Sequence, residues 1–225
     1  MASTVPHDPP KFPTLDAGLT VLRGDGRVTG ALQSLVLDYL LLNDGTAVWV
    51  DSKNNAATTS LAKIAPSRRV LDRVRVGRAF TAFQHYSLIE DVPAAVSDET
   101  SLLVAPAIDW FYTADDLRSS EGEEMLEAAL DRLESVVSNH ELTVLLSSAG
   151  EADVMPMVAG RADTTIECVR TGFGPRFTGD GFETLVFECD GGIQTTFAYW
   201  RRVLAKRHPS AAANPPEGVP GLGTH

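Results

Sequence analysis

Leu19-Thr20-Val21-Leu22, then Gly24-Asp25-Gly26-Arg27-Val28-Thr29-Gly30, then an apolar run over 31–42 stand in that order near the start of the chain, and this order decides the fold. A short apolar strand, a glycine-bearing loop and an apolar helix make one βα unit. Asn43-Asp44-Gly45 breaks the helix, and Ala47-Val48-Trp49-Val50 reads as a buried strand ending at Asp51. The alternation continues outward. A helix is predicted near 57–65, a strand at 73–76, a helix near 81–91 and a strand from Ser101 to Ala105. Residues 121–138 carry Met125, Leu126, Ala129, Leu130, Leu133 and Val137 at the spacing of one buried helix face. Leu142 to Leu146 is an unbroken apolar run of the kind buried inside a parallel sheet.

Beyond that run the rhythm changes. Segments around 163–169, 183–189 and 194–200 read as three successive strands, with Asp190-Gly191-Gly192 as a hairpin turn between the last two. The expected fold is α/β: a mostly parallel central sheet flanked by helices and extended by C-terminal antiparallel strands. Residues 1–14, with four prolines, read as a flexible arm, 15–207 as one domain, and 208–225 as a disordered Pro/Gly/Ala tail.

Thirty acidic against nineteen basic side chains give a net charge of −11, and lysine occurs only at Lys11, Lys53, Lys63 and Lys206. Such an acidic, lysine-poor surface fits a salt-adapted protein or an ordinary acidic one, cytoplasmic in either case, and its field opposes non-specific nucleic-acid binding. Cys168 and Cys189 lie in strand-like runs and read as buried thiols. No zinc spacing, secretory leader or membrane-length apolar run occurs, so neither a metal nor a membrane is expected.

The loop over 24–30 lies where a Walker A loop would cradle phosphate, but its chemistry differs. Gly24 to Gly30 is one residue longer than the standard glycine spacing, and Gly26 to Gly30 is one shorter. With Gly30 as the last glycine, the lysine position is Ala31 and the Ser/Thr position is Leu32. Arg27 reads as a turn residue, and backbone amides alone make a weak anion site.

Two stretches resemble the archaeal and eukaryotic RecA-type recombinases, in particular their shorter RadB-like paralogues. Val48-Trp49-Val50-Asp51-Ser52-Lys53-Asn54-Asn55 is similar to the family's strand followed by Asp-Thr-Glu-Asn/Gly-Thr. Leu71-Asp72-Arg73-Val74-Arg75-Val76-Gly77-Arg78-Ala79-Phe80, followed by Gln84-His85, is similar to its leucine, aspartate, strand, alanine-arginine-alanine-aromatic passage. The resemblance implies a RecA-like P-loop core over about 19–200, its specific part lying in 46–95. It also implies where catalysis fails. Lys53 stands at the position of the glutamate that polarises the attacking water, and a lysine is charged at neutral pH. Ala105 and Pro106 fill the end of the Walker B strand, with Asp109 beyond it, and Ser147-Ser148-Ala149 replaces a polar glutamine.

The family's two DNA loops correspond to 111–122 and 150–161, both short and acid-biased here. Basic residues cluster elsewhere, at Arg68, Arg69, Arg73, Arg75 and Arg78, and at Arg201, Arg202, Lys206, Arg207 and His208. His85 and His140 read as cap or surface residues, and Met155-Pro156-Met157-Val158 as a sheet cover or contact surface. Phe12-Pro13-Thr14-Leu15 resembles the family's Phe-x-x-Ala tether, with leucine at the small position. The expectation is a non-catalytic, cofactor-free accessory or scaffold protein of DNA recombination or repair that contacts protein partners or itself. Two alternatives stay open: an enzyme with a rearranged site using Asp51 or Asp109 for metal, and a DNA binder using the arginine clusters.

Overall fold

The computed structural model describes residues 11–24, 30–56, 58–113, 117–150, 154–171, 174–185 and 196–213. Their elements run β1 (Gly18–Gly24), α1 (Ala31–Leu42), β2 (Thr46–Asp51), α2 (Thr58–Ile64), β3 (Val74–Arg78), α3 (Ala82–Glu90), α4 (Val92–Ala95) and β4 (Thr100–Ala105). They continue α5 (Ser119–His140), β5 (Thr143–Ser147), α6 (Met155–Gly160), β6 (Thr164–Thr171), β7 (Gly174–Gly179), β8 (Phe182–Leu185), α7 (Thr196–Arg207) and α8 (Pro209–Ala212).

One sheet holds all eight strands in the order β3-β2-β4-β5-β1-β6-β7-β8. Every neighbour pair from β3 across to β6 is parallel. β6–β7 and β7–β8 are antiparallel. This is an α/β fold with a mixed, mostly parallel sheet flanked by helices, of the general P-loop or Rossmann-like kind. The apolar strands are buried on both faces, so successive residues belong to opposite cores. Ala47, Trp49, Leu102, Val104 and Leu145 pack under α1, α2 and α7. Val48, Val50, Leu103, Ala105, Val144 and Leu146 pack under α3, α5 and α6.

The parallel half follows the predicted βα alternation; the C-terminal half departs from it. Of the predicted strand over 194–200, the described residues from Thr196 onward are helix α7 and not a strand, while 194 and 195 lie outside the described residues. Its buried side chains Tyr199, Trp200, Val203 and Leu204 repeat at helical spacing and pack in the α1/α2 core, which overrides the strand preference of an aromatic run. The antiparallel pair is β7 and β8, turned at Asp180-Gly181 with Gly181 at φ 80°, and β7 was not foreseen. Asp190-Gly191-Gly192 and Cys189 lie outside the described residues, while Cys168 is buried on β6. Phe12 and Leu15 belong to the core, and the Phe12 ring sits 5.8 Å from Phe177 and 5.7 Å from Trp200. Phe12 is therefore occupied within its own chain. His85 is a second correction: it is fully buried rather than a cap or surface group. His140 is exposed at the end of α5.

Among the described residues, no helix is long and apolar enough to cross a membrane.

Candidate functional site

Parallel α/β sheets open a crevice at the carboxyl ends of their strands. Here β1 ends at Gly24, β5 at Ser147, and α1 starts beside them at Ala31. A cleft of about 510 Å³ lies among them, lined by Arg23, Gly24, Gly30 to Gln33, Asn55, Ser147 to Gly150, Met155 and Cys168. Met155 and Pro156 of α6 extend its apolar wall. The degenerate loop residues Gly24, Gly30, Ala31 and Leu32 thus gather where the sequence places a phosphate loop, while Gly26 and Arg27 lie outside the described residues.

The electrostatics of this cleft are weak. Arg23 is the one charged side chain among its described lining residues, and it pairs with Glu167 at 3.2 Å. Gln33 donates to the Asn55 carbonyl at 2.9 Å, and Asn55 donates to the Ser52 carbonyl at 2.8 Å. Gly30 precedes the helix at φ 89° with no side-chain cap. Ala31 and Leu32 are packed into the core, at 4% and 8% exposure. Among the described lining residues no lysine is placed to meet phosphate charge, and Leu32 offers a cation no hydroxyl.

The acidic residues of the strand ends are engaged with the protein itself. Asp51 is fully buried; its Oδ1 accepts from the Ala56 amide at 2.7 Å and from Trp49 Nε1 at 3.3 Å, and its Oδ2 from Arg78 Nε at 3.0 Å. Asp109 is equally buried, and accepts from the Ser148 hydroxyl at 2.6 Å and from the Ala149 amide. The chain leaving β4 at Pro106 is thereby folded over the exit of β5, reinforced by Ile108 N–H to the Ser147 carbonyl at 2.9 Å. Neither carboxylate lines the cleft. Among the described residues no group of three or more His, Cys, Asp or Glu side chains is placed to hold a metal ion.

Lys53 is exposed and directed away, its Nζ 3.8 Å over the centroid of the Trp110 ring. Lys53, Asn54 and Ala107 all adopt left-handed backbone, at φ 53°, 58° and 46°. Such residues carry strain unless their surroundings fix them. Ser52 does so: its hydroxyl donates to the Pro106 carbonyl and lies 2.9 Å from that of Ala107, joining the exits of β2 and β4.

Three arginines of the first cluster serve backbone and carboxylate, while Arg68 and Arg69 are exposed. Arg73 donates to the carbonyls of Leu40, Asn43 and Gly45, closing the C-terminal end of α1. Arg75 reaches the Ala95 carbonyl and Thr100, and Arg78 reaches Asp51. Arg201, Arg202 and Lys206 are carried by α7, with Arg201 and Lys206 exposed.

The clearest surface feature was not foreseen. Val76, Phe80 and Phe83 are 44%, 73% and 62% exposed around β3, which among the described strands pairs only with β2 and forms one edge of the sheet. Thr81 and Gln84 fix this corner: Thr81 Oγ1 accepts from the Gln84 amide at 3.2 Å, and Gln84 Oε1 from the Phe80 amide at 2.9 Å. The Thr81-x-x-Gln84 spacing of a capping box, with Phe80 before it and Phe83 within it, is the sequence signal that marks it.

Compared with known proteins, the chain matches no family model and no curated protein.

Proposed function

We propose that this chain is a non-catalytic RecA-like protein that works by protein contact, as an accessory or scaffold in DNA recombination or repair. The observation that carries the reading is the sheet edge at β3, where unpaired backbone groups run beside exposed Val76, Phe80 and Phe83. An open strand with exposed apolar side chains around it offers both ladder hydrogen bonds and burial to a partner. The recombination setting rests on the resemblance over 46–95, and the parallel sheet extended by antiparallel strands fits it. The engaged states of Asp51 and Asp109 lend the rearranged-enzyme reading no support. Those of Arg73, Arg75 and Arg78 tie three of the five arginines of the first cluster to the protein itself, which weighs against the DNA-binding reading, while Arg68 and Arg69 are exposed.

The mass of the protein in high salt should rise with concentration, or a stable partner should co-purify. Phe80→Asp/Phe83→Asp should lose that association while melting like the parent, since both side chains are exposed. Light scattering across concentration measures this. A strictly monomeric parent that holds no partner defeats the scaffold reading.

The same reading expects no ATP turnover above background, with magnesium and single-stranded DNA present, and at best weak ATP binding. Loss of one electrostatic contact to a transition state costs about 2.7–4 kcal/mol, roughly two to three orders of magnitude in rate. Such losses within one site do not simply add. Calorimetry in molar salt, paired with a phosphate-release assay, tests it. Micromolar binding that Ala31→Lys does not strengthen, with turnover abolished by Asp51→Asn, puts the enzyme first.

A further inference from the structure

We infer that the C-terminal helix α7 is a strap that sets the head of α1, coupling the C-terminal segment to the cleft. The two helices touch at two matched points. At the head, Gly30 holds its left-handed conformation against the Trp200 ring: a Cβ built there would lie 2.9 Å from Trp200 Cδ1 and 3.2 Å from Ile64 Cδ1. Trp200 is fully buried and braced by Tyr199, Phe12 and Phe177, with ring centroids 5.0, 5.7 and 6.1 Å away. At the foot, Asp38 takes Arg207 through two hydrogen bonds of 2.6 and 2.8 Å and His208 Nε2 through a third of 2.6 Å. Gly30 to Asp38 on one helix and Trp200 to Arg207 on the other span about 12 and 10.5 Å of rise, so the contacts close in register.

Both ends matter to the cleft. Gly30 lines it, and the Gly30 carbonyl accepts from the Ser34 amide at 2.9 Å and the Ser34 hydroxyl at 2.7 Å, which starts the helix. Asp38 is the one acidic side chain on α1 and is nearly buried, so its charge depends on Arg207 and His208. Release of the foot removes one of the two points that fix α7 along α1, so that the packing of Trp200 alone sets the wall against Gly30, and a glycine with a looser wall has more backbone conformations open to it. Coupling of this kind is reciprocal: a change at Gly30 reaches the foot, as a change at Asp38 reaches the head.

The test is amide hydrogen exchange by NMR on the full chain, with Ser34 reporting the head of α1, Val203 and Leu204 reporting α7, and His85 on α3 as the remote reference. Asp38→Asn keeps the shape and weakens the foot. Gly30→Ala presses a methyl group against Trp200. Relative to His85, each variant should speed Ser34, Val203 and Leu204 together, by about tenfold or more. If Asp38→Asn speeds α7 alone, or Gly30→Ala leaves α7 unchanged, the strap does not exist. A rise shared equally by His85 in both variants overturns it too, because α7 then moves only with the whole fold.

Discussion

Asp51→Ala is expected to lower the stability of the fold by about 3–5 kcal/mol, whatever nucleotide is present. Removing this carboxylate strands two buried donors, the Ala56 amide and Trp49 Nε1, and each unsatisfied buried group costs about 1–3 kcal/mol. The Arg78 partner adds little, since its side chain is 38% exposed and water replaces the lost ion pair. Asp51→Asn keeps one acceptor for both donors and should cost distinctly less, roughly 1–2 kcal/mol. Urea unfolding of the three proteins measures the series. A carboxylate held for metal chemistry behaves otherwise: its removal often leaves stability unchanged or raises it, while function is lost. If Asp51→Ala melts like the parent, Asp51 is not a structural clamp and the rearranged-enzyme reading gains.

The same residue shows what a sequence discloses. The apolar run ending in Asp51 marks a strand end facing a crevice, and the substitutions at Ala31, Leu32 and Lys53 are visible by position alone. That Asp51 is consumed by Ala56, Trp49 and Arg78 is a matter of how the chain turns after β2, with Lys53 and Asn54 in left-handed backbone that no local pattern announces. The parallel core was legible because Val48–Val50, Leu102–Ala105 and Leu142–Leu146 are buried on both faces and therefore uniformly apolar. The C-terminal part was not. In β7 only Phe177 is a large apolar residue between Gly174-Pro175 and Gly179, so it resembles a loop. In α7 the aromatic start resembles a strand until the packing of Trp200 beneath Gly30 is known. Asp38 is the sharpest case. A single carboxylate in the apolar stretch from Leu35 to Leu42 signals a buried charge, but its partners lie 169 and 170 residues away.

Acidification should weaken the fold in a defined window through His85. Its ring is fully buried against Phe111 and Tyr112, with Nδ1 2.8 Å from the Tyr112 hydroxyl and Nε2 without a partner. Burial lowers its pKa from 6.5 to about 4, and burial raises that of the Tyr112 phenol. A depressed folded pKa means that the unfolded chain binds the proton first. The stabilisation is therefore complete above pH 6.5 and is lost progressively as pH falls toward about 4. The full loss is on the order of 3 kcal/mol, at 1.36 kcal/mol per pKa unit. Asp38 acts in a different range. Burial alone would raise its pKa, but the hydrogen bonds from His208 and Arg207 outweigh that and lower it below the usual 3.8, so its contribution is lost only in stronger acid. Urea unfolding of the parent and His85→Phe between pH 7.5 and 4.5 separates the two. The variant lacks the titrating ring and leaves the Tyr112 hydroxyl unpaired, a pH-independent cost of about 1–3 kcal/mol. Its stability should start lower and fall less steeply, so that the two curves converge toward pH 4.5. Parallel curves across that range would mean that His85 titrates alike in the folded and unfolded chains, and the buried, neutral imidazole would have to be abandoned.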